Sequence, residues 1–166
     1  MAGALGVPEL VAAFVLCVAG VAKLRAPGGA ARAVGADPRL VRLFAAGELA
    51  LGALALAAGG RVLAAVMAAL YAGFAVLTLR LARAGQTCGC FGAQQSPASP
   101  LQSALSGTLA AVCLLAALAG PRSLDWILER SPGGVTVLGL GTAGAVYGIV
   151  LAYSELPQLW RSWSPA

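Results

Sequence analysis

Five apolar segments dominate this chain, and each has about the length that a helix needs to cross a bilayer. A membrane-spanning helix takes about 20 consecutive, mostly apolar residues. Because unpaired backbone groups are costly in lipid, segments of this kind are helical. The sequence therefore predicts an all-α, polytopic transmembrane bundle of four core helices plus a fifth, C-terminal transmembrane helix. The five segments lie at about residues 5–24, 40–58, 61–81, 100–120 and 134–153.

The composition agrees with a lipid environment and excludes several kinds of function. Of the 166 residues, 60% are hydrophobic and only 10% are charged, whereas soluble chains have about 25% charged residues. Histidine is absent, which removes Ser-His-Asp catalysis and histidine metal ligands. The net charge of +5 comes from single bases between apolar runs. It therefore indicates membrane flanks and no nucleic-acid partner.

Local signals divide the chain into two parts. Residues 1–120 are predicted to form a four-helix membrane domain, and residues 121–166 a loop, the fifth helix and a short tail. Gly28-Gly29 and Asp37-Pro38 frame a first loop of about fifteen residues. The first apolar segment has no bases before it, so we interpret it as a retained anchor and not as a cleaved signal peptide.

The fifth segment contains Gly144 and Gly148, a spacing that lets a second helix approach closely. In a chain rich in Gly and Ala this spacing also arises by chance. Packing within the chain is the favoured interpretation, and a dimer through Gly144 and Gly148 is the alternative.

The distribution of bases predicts the orientation, because cytoplasmic loops are enriched in Lys and Arg. With five spans, the first loop, the third loop and the C-terminus lie on one side of the membrane and share eight bases. The opposite side has three bases, at Arg61, Arg122 and Arg130. We therefore predict a protein of the cell (inner) membrane, with its N-terminus outside and the Cys88–Cys90 loop at the cytoplasmic face. If the first-loop bases instead lie on a helix at the outer surface of the membrane, this count gives the wrong orientation. The first loop, the third loop and the C-terminus share eight bases: Lys23, Arg25, Arg32, Arg39, Arg42, Arg80, Arg83 and Arg161.

Two cysteines that flank one glycine, Cys88-Gly89-Cys90, are the most specific chemical feature of the sequence. A disulfide between residues i and i+2 closes a small, strained ring, and strain makes such a bond labile. The spacing favours a redox pair, with incidental loop cysteines as one alternative. Half of a metal site is the other, but zinc needs more ligands, so no metal site is predicted. Cys17 and Cys113 fall inside apolar segments and are predicted to be small buried hydrophobes.

Glu48 is an acid about eight residues into the second segment, roughly 12 Å from its start at 1.5 Å per residue. Intramembrane acids normally face a cavity or a partner. By topology, Glu48, Lys23 and the cysteine pair converge at one membrane face. We predict Glu48 and Lys23 as a supporting charge pair, which is either a structural tie between two spans or a site of proton exchange during thiol chemistry.

Three motifs resemble the methylamine utilisation protein MauE family, within the wider group of DoxX-like membrane proteins. They are Ala-Gly-Val-Ala-Lys-Leu at 19–24, Gly-Glu-Leu at 47–49 with Gly52, and Cys-Gly-Cys-Phe-Gly at 88–92. The resemblance covers about residues 5–120. The Cys-Gly-Cys-Phe-Gly run is its most specific part, and the fifth segment lies beyond it.

The resemblance implies a redox-associated integral membrane protein that assists disulfide formation or exchange. In the family this supports maturation of the disulfide-rich light (beta) subunit of methylamine dehydrogenase, alongside a thioredoxin-like partner. By this resemblance Cys88 and Cys90 would be the redox pair acting on a disulfide-containing client. No cofactor is identified, and a quinone cannot be inferred from the sequence. The alternative is a non-catalytic membrane assembly or transport factor with incidental cysteines.

Overall fold

A computed structural model describes residues 6–89, 96–120 and 132–154, and it confirms the predicted all-α bundle. Two strands of two residues each, β1 (Thr87–Cys88) and β2 (Ser96–Pro97), pair in antiparallel fashion between two of the helices. The described part contains six helices, namely α1 (Gly6–Arg25), α2 (Gly28–Val34), α3 (Pro38–Ala58), α4 (Arg61–Arg83), α5 (Pro100–Ala119) and α6 (Pro132–Ser154).

Four of these helices are long and apolar enough to cross a membrane. They are α1 from Val7, α3, α4 and α5, so the four predicted core spans are confirmed. A helix, α6, is also present where the fifth span was predicted, and its apolar stretch is Gly139–Tyr153. That α6 crosses the bilayer, and that the chain divides after residue 120, stay predictions.

The helix ends follow from local side-chain chemistry. Asp37 caps α3 by accepting a hydrogen bond from the backbone N–H of Arg39. Ser99 and Gln102 form a reciprocal capping box at the start of α5, which satisfies two backbone donors that a helix start leaves unpaired. Gly59 and Gly60 both have positive φ, 61° and 107°, a conformation that other residues resist. The chain can therefore reverse tightly between α3 and α4.

Helix α1 lies at the centre of the bundle. It packs along α3 and also contacts α5 and α6, whereas α4 packs along α5. The Tyr71 hydroxyl on α4 donates a 2.6 Å hydrogen bond to the carbonyl oxygen of Ala12 on α1. At the other side of the core, the hydroxyls of Ser106 on α5 and Tyr153 on α6 are 2.6 Å apart. Polar ties of this kind help to hold helices together where lipid removes much of the hydrophobic driving force.

Two glycines let α1 and α3 approach closely. A Cβ atom at Gly52 would lie 2.6 Å from the sulfur of Cys17 and 2.9 Å from the carbonyl oxygen of Ala13. A Cβ atom at Gly20 would lie 2.9 Å from the carbonyl oxygen of Ala45. All three distances are too short for real contacts, so a side chain at either position would push the two backbones apart. The α1–α3 contact therefore depends on the absence of these side chains.

Helices α3 and α4 follow each other in sequence but have few contacts with each other. Each instead packs mainly against a different neighbour, α3 against α1 and α4 against α5. The first loop contains the short helix α2, which packs beside α3 and β1. A space bounded by α2, α3, α4 and β1 results at the end of the bundle where the hairpin lies.

Candidate functional site

A buried ion pair joins the two central helices. The ammonium nitrogen of Lys23, in the last turn of α1, donates hydrogen bonds of 2.6 Å and 2.8 Å to the two carboxylate oxygens of Glu48 on α3. Lys23 is 7% exposed and Glu48 is 2% exposed. Removal of two charges from water is costly, and only close, well-directed contacts offset that cost. The structure thus brings these two predicted residues into direct contact.

A cluster of three aromatic rings lies beside the ion pair. The Lys23 nitrogen lies 4.7 Å from the centroid of the Phe74 ring, a distance typical of a cation–π interaction. Phe44 and Tyr71 pack edge-on against Phe74, with ring centroids 6.4 Å and 6.1 Å away. The charged group of Lys23 therefore has a carboxylate on one side and an aromatic face on the other.

Cys88, at the end of β1, is 2% exposed and packs in a small apolar cluster with Leu81 and Ala98. Its sulfur is disulfide-bonded, whereas Cys17 and Cys113 have free thiols. Cys90, the other member of the predicted pair, lies outside the described residues. The sequence placed the cysteine loop at a membrane–water boundary. The structure adds that the sulfur of Cys88 is covered by protein.

Gly89 is the residue that lets this segment lie against α2. A Cβ atom there would overlap the backbone of Gly29 and Ala30 at the beginning of α2. Backbone cannot move aside as the end of a flexible side chain can. The glycine of the Cys-Gly-Cys motif therefore has a packing role, because it allows α2 to cover Cys88.

One cavity of about 960 Å³ connects these features. Lys23 and Glu48 line it together with Phe44, Phe74 and Cys88. Most of its other walls are apolar side chains of α2, α3 and α4. Its volume is in the range of about 300–1,000 Å³ that ligand sites usually have. The sequence predicted that the charge pair and the cysteine loop lie at the same membrane face. In the structure, Lys23, Glu48 and Cys88 line the same cavity.

The cavity reaches the outer surface of the bundle between α3 and α4. Leu40 and Leu43 on α3 line it while 62% and 72% exposed, and Val66 on α4 is 47% exposed. Because α3 and α4 are apolar enough to cross a membrane, we expect this opening to face lipid. We therefore expect a molecule dissolved in the bilayer to reach the cavity from this side.

Sequence reasoning missed several residues of this site. Phe74 and Phe44 are ordinary apolar residues in spans, and no local signal separates them from other lipid-facing side chains. The role of α2 was missed because a seven-residue helix in a Gly- and Ala-rich loop has no periodic pattern to reveal it. Cys113 matches its prediction as a buried small residue, with 0% exposure in the main core cluster. Cys17 is half-buried on α1 beside Gly52.

Gly144 and Gly148, the two glycines of α6 whose spacing suggested close helix packing, do not pack closely against any other described residue. A Cβ atom at Gly144 or Gly148 would meet nothing within 4 Å, and Tyr147 between them is 67% exposed. Close packing of these glycines within the described part of the chain, the favoured interpretation, is therefore not observed. A dimer through this face of α6 stays a prediction.

The fold and the site together define a polytopic helical membrane protein in which a buried Lys–Glu pair and a cysteine line one largely apolar cavity. Residues 1–121 match the model of the family described as methylamine utilisation protein MauE. The match covers most of the chain, and the chain belongs to this family. No curated protein and no solved structure matches it.

Proposed function

We propose that this protein is a membrane thiol–disulfide redox component, with Cys88 and Cys90 as the pair that cycles between dithiol and disulfide. One observation carries the proposal: Cys88, which is disulfide-bonded, lines the same cavity as the buried Lys23–Glu48 pair. A cysteine without a function is not expected to line the same cavity as two buried charged side chains. The family description, methylamine utilisation, supports a client in that pathway, such as the disulfide-rich subunit implied by the sequence motifs.

The exchange reaction balances without any other reagent. A thiolate of the partner attacks one sulfur of the Cys88–Cys90 disulfide, and the other sulfur leaves as a thiolate. A second partner thiolate then resolves the mixed disulfide, so the partner is oxidised and the pair is reduced. Because Cys88 is buried beneath α2, an incoming thiolate is expected to attack Cys90. Cys88 is then the leaving and resolving group.

A redox titration tests this proposal directly. The purified protein is equilibrated in glutathione buffers of graded potential, alkylated, digested and analysed by mass spectrometry. We expect the peptide containing Cys88 and Cys90 to change from two alkylated thiols to an intramolecular bridge within the range of cellular thiol couples. A peptide that stays unbridged throughout would support a non-catalytic assembly or transport factor. Cys113, with its buried free thiol, serves as the internal reference.

We also propose that the hairpin end of the bundle faces the cytoplasm and that the N-terminus lies outside the cell (inner) membrane. Lys23 does not count as a loop base because it is paired with Glu48. Without it, the described part of the chain still has six exposed bases at the hairpin end and one, Arg61, at the other. In this orientation a thioredoxin-like protein of the cytoplasm would exchange with the pair. The six bases are Arg25, Arg32, Arg39, Arg42, Arg80 and Arg83.

Single-cysteine labelling tests the orientation. In a background without native cysteines, Arg32→Cys reports the α2 end and Arg61→Cys reports the opposite end, and both positions are exposed. We expect a membrane-impermeant maleimide to label Arg61→Cys in intact spheroplasts and Arg32→Cys only after the membrane is permeabilised. The reverse pattern would place the cysteine pair outside the cytoplasm, where it could meet an exported client directly.

A further inference from the structure

We infer that the cavity between α3 and α4 is a quinone site and that a membrane quinone exchanges electrons with the Cys88–Cys90 pair. This inference rests on the proposed redox function. The walls of the cavity are mostly apolar, and the leucines at its opening are exposed on a helix that is apolar enough to cross a membrane. A ligand that enters here is lipophilic. The acyl chain of a lipid would also fit these apolar walls, so the class of ligand must be identified from the polar groups at the Lys23–Glu48 end of the cavity.

The polar end provides what a quinone head needs. The Lys23 ammonium group is a strong donor that lines the cavity and can bond to a quinone carbonyl oxygen. The rings of Phe44 and Phe74 line the same space, and a flat conjugated ring packs well against aromatic side chains. Glu48 can accept or deliver a proton at the same place. A phospholipid headgroup is bulky and charged, and it fits poorly beside a carboxylate that is already paired.

Cys88 lines the cavity with these groups, and this juxtaposition provides the reaction. The dithiol form of the pair loses two electrons and two protons and becomes a disulfide. The quinone gains two electrons and two protons and becomes a quinol, so atoms and charge balance. The sulfur–sulfur bond forms as the two S–H bonds break. Lys23 binds one quinone oxygen, and Glu48 relays one of the protons.

Gly73 is a position from which an added side chain can enter the cavity. Gly73 on α4 lines the cavity, and a Cβ atom there would meet nothing within 4 Å. Gly107 on α5 has the same open surroundings but does not line the cavity. The variants Gly73→Leu and Gly107→Leu therefore add the same side chain inside and outside the proposed site.

The experiment uses the full chain in nanodiscs made with defined phosphatidylcholine, with decyl-ubiquinone and a short-chain menaquinone as probes, since neither has a free ring carbon that adds thiols. Binding is measured by equilibrium partition of each quinone. Quinol formation by the reduced protein is measured together with reduction of glutathione disulfide in the same preparation. We expect wild type and Gly107→Leu to bind a probe and form one quinol per reduced pair. In Gly73→Leu, we expect about tenfold weaker binding and a matching fall in the ratio of quinol formation to glutathione exchange.

Each alternative outcome is decisive. Equal binding and equal quinol formation in Gly73→Leu and wild type would overturn the cavity as the site. Exchange with glutathione but no quinone binding would overturn the quinone inference and leave the proposed function standing, with a lipid acyl chain as the occupant. Cys88→Ser is expected to bind the probes but form no quinol. Quinone binding by a wild-type protein whose cysteines never bridge would instead contradict the proposed function.

Discussion

Replacement of Cys88 and of Cys90 by serine is expected to have opposite effects on the capture of a small disulfide, although both variants lose catalytic turnover. Cys88→Ser leaves Cys90 without its resolving partner, so incubation with glutathione disulfide should give a stable glutathione adduct on Cys90. Cys90→Ser leaves only Cys88, which is 2% exposed and covered by α2. We expect this variant to resist the adduct. In both, thiol–disulfide exchange should fall to the uncatalysed background.

Intact-mass measurement after quenching with acid gives both readouts. Cys113→Ala is the matched control, because it removes a buried free thiol on α5 and should keep wild-type exchange. Equal adduct formation in the two serine variants would show that burial does not distinguish the sulfurs, and the assignment of Cys88 as the leaving group would be wrong. Wild-type exchange in both variants would remove the redox proposal itself.

Loss of one member of the Lys23–Glu48 pair is expected to be the most destabilising single change near the site. Lys23→Met leaves the Glu48 carboxylate at 2% exposure without its cation, and Glu48→Leu leaves the Lys23 ammonium without its anion. Removal of one partner from a buried pair costs about 3–5 kcal/mol, whereas replacement of both by apolar residues is often neutral. We therefore expect each single variant to lose about 3 kcal/mol or more of unfolding free energy, and the double variant to regain most of it.

Unfolding of the detergent-solubilised protein, followed by circular dichroism, measures the four members of this cycle. Arg39→Met, at an exposed base near the start of α3, controls for the loss of a positive charge and should change stability by less than about 0.5 kcal/mol. Losses that simply add in the double variant would mean that the two groups are not energetically coupled. The double variant also separates stability from function, because we expect it to fold and yet lose the donor that binds the quinone.

Much of the fold could be predicted from the chain alone, because lipid restricts the possible structures. Apolar runs of about 20 residues must become helices there, and the fourth predicted segment, at about residues 100–120, is helix α5, which begins at Pro100. The family could also be recognised from three short motifs, and it is confirmed over residues 1–121. The first loop was the exception. Helix α2 forms in a segment with no periodicity, and it packs against the hairpin and α3.

The candidate site was predictable only in part. An acid in an apolar span needs a partner or a cavity, and this rule was enough to single out Glu48 and to pair it with Lys23. The rule does not identify Phe74, which belongs to the site only because α4 turns that face toward Lys23. Nor could it reveal that Gly89 has to lie on the backbone of α2. Such contacts join residues that are far apart in the chain.

The sequence by itself determined that the protein is a membrane protein and where its long apolar helices lie, because both depend on the chemistry of neighbouring residues. Only the tertiary structure decided that α1 takes α3 as its partner and α4 takes α5, which leaves α3 and α4 apart with a cavity between them. That choice depends on which helix faces match in shape. Gly20 and Gly52 allow α3 to pack closely on α1. The cavity that remains between α3 and α4 is lined by Cys88 together with Lys23 and Glu48.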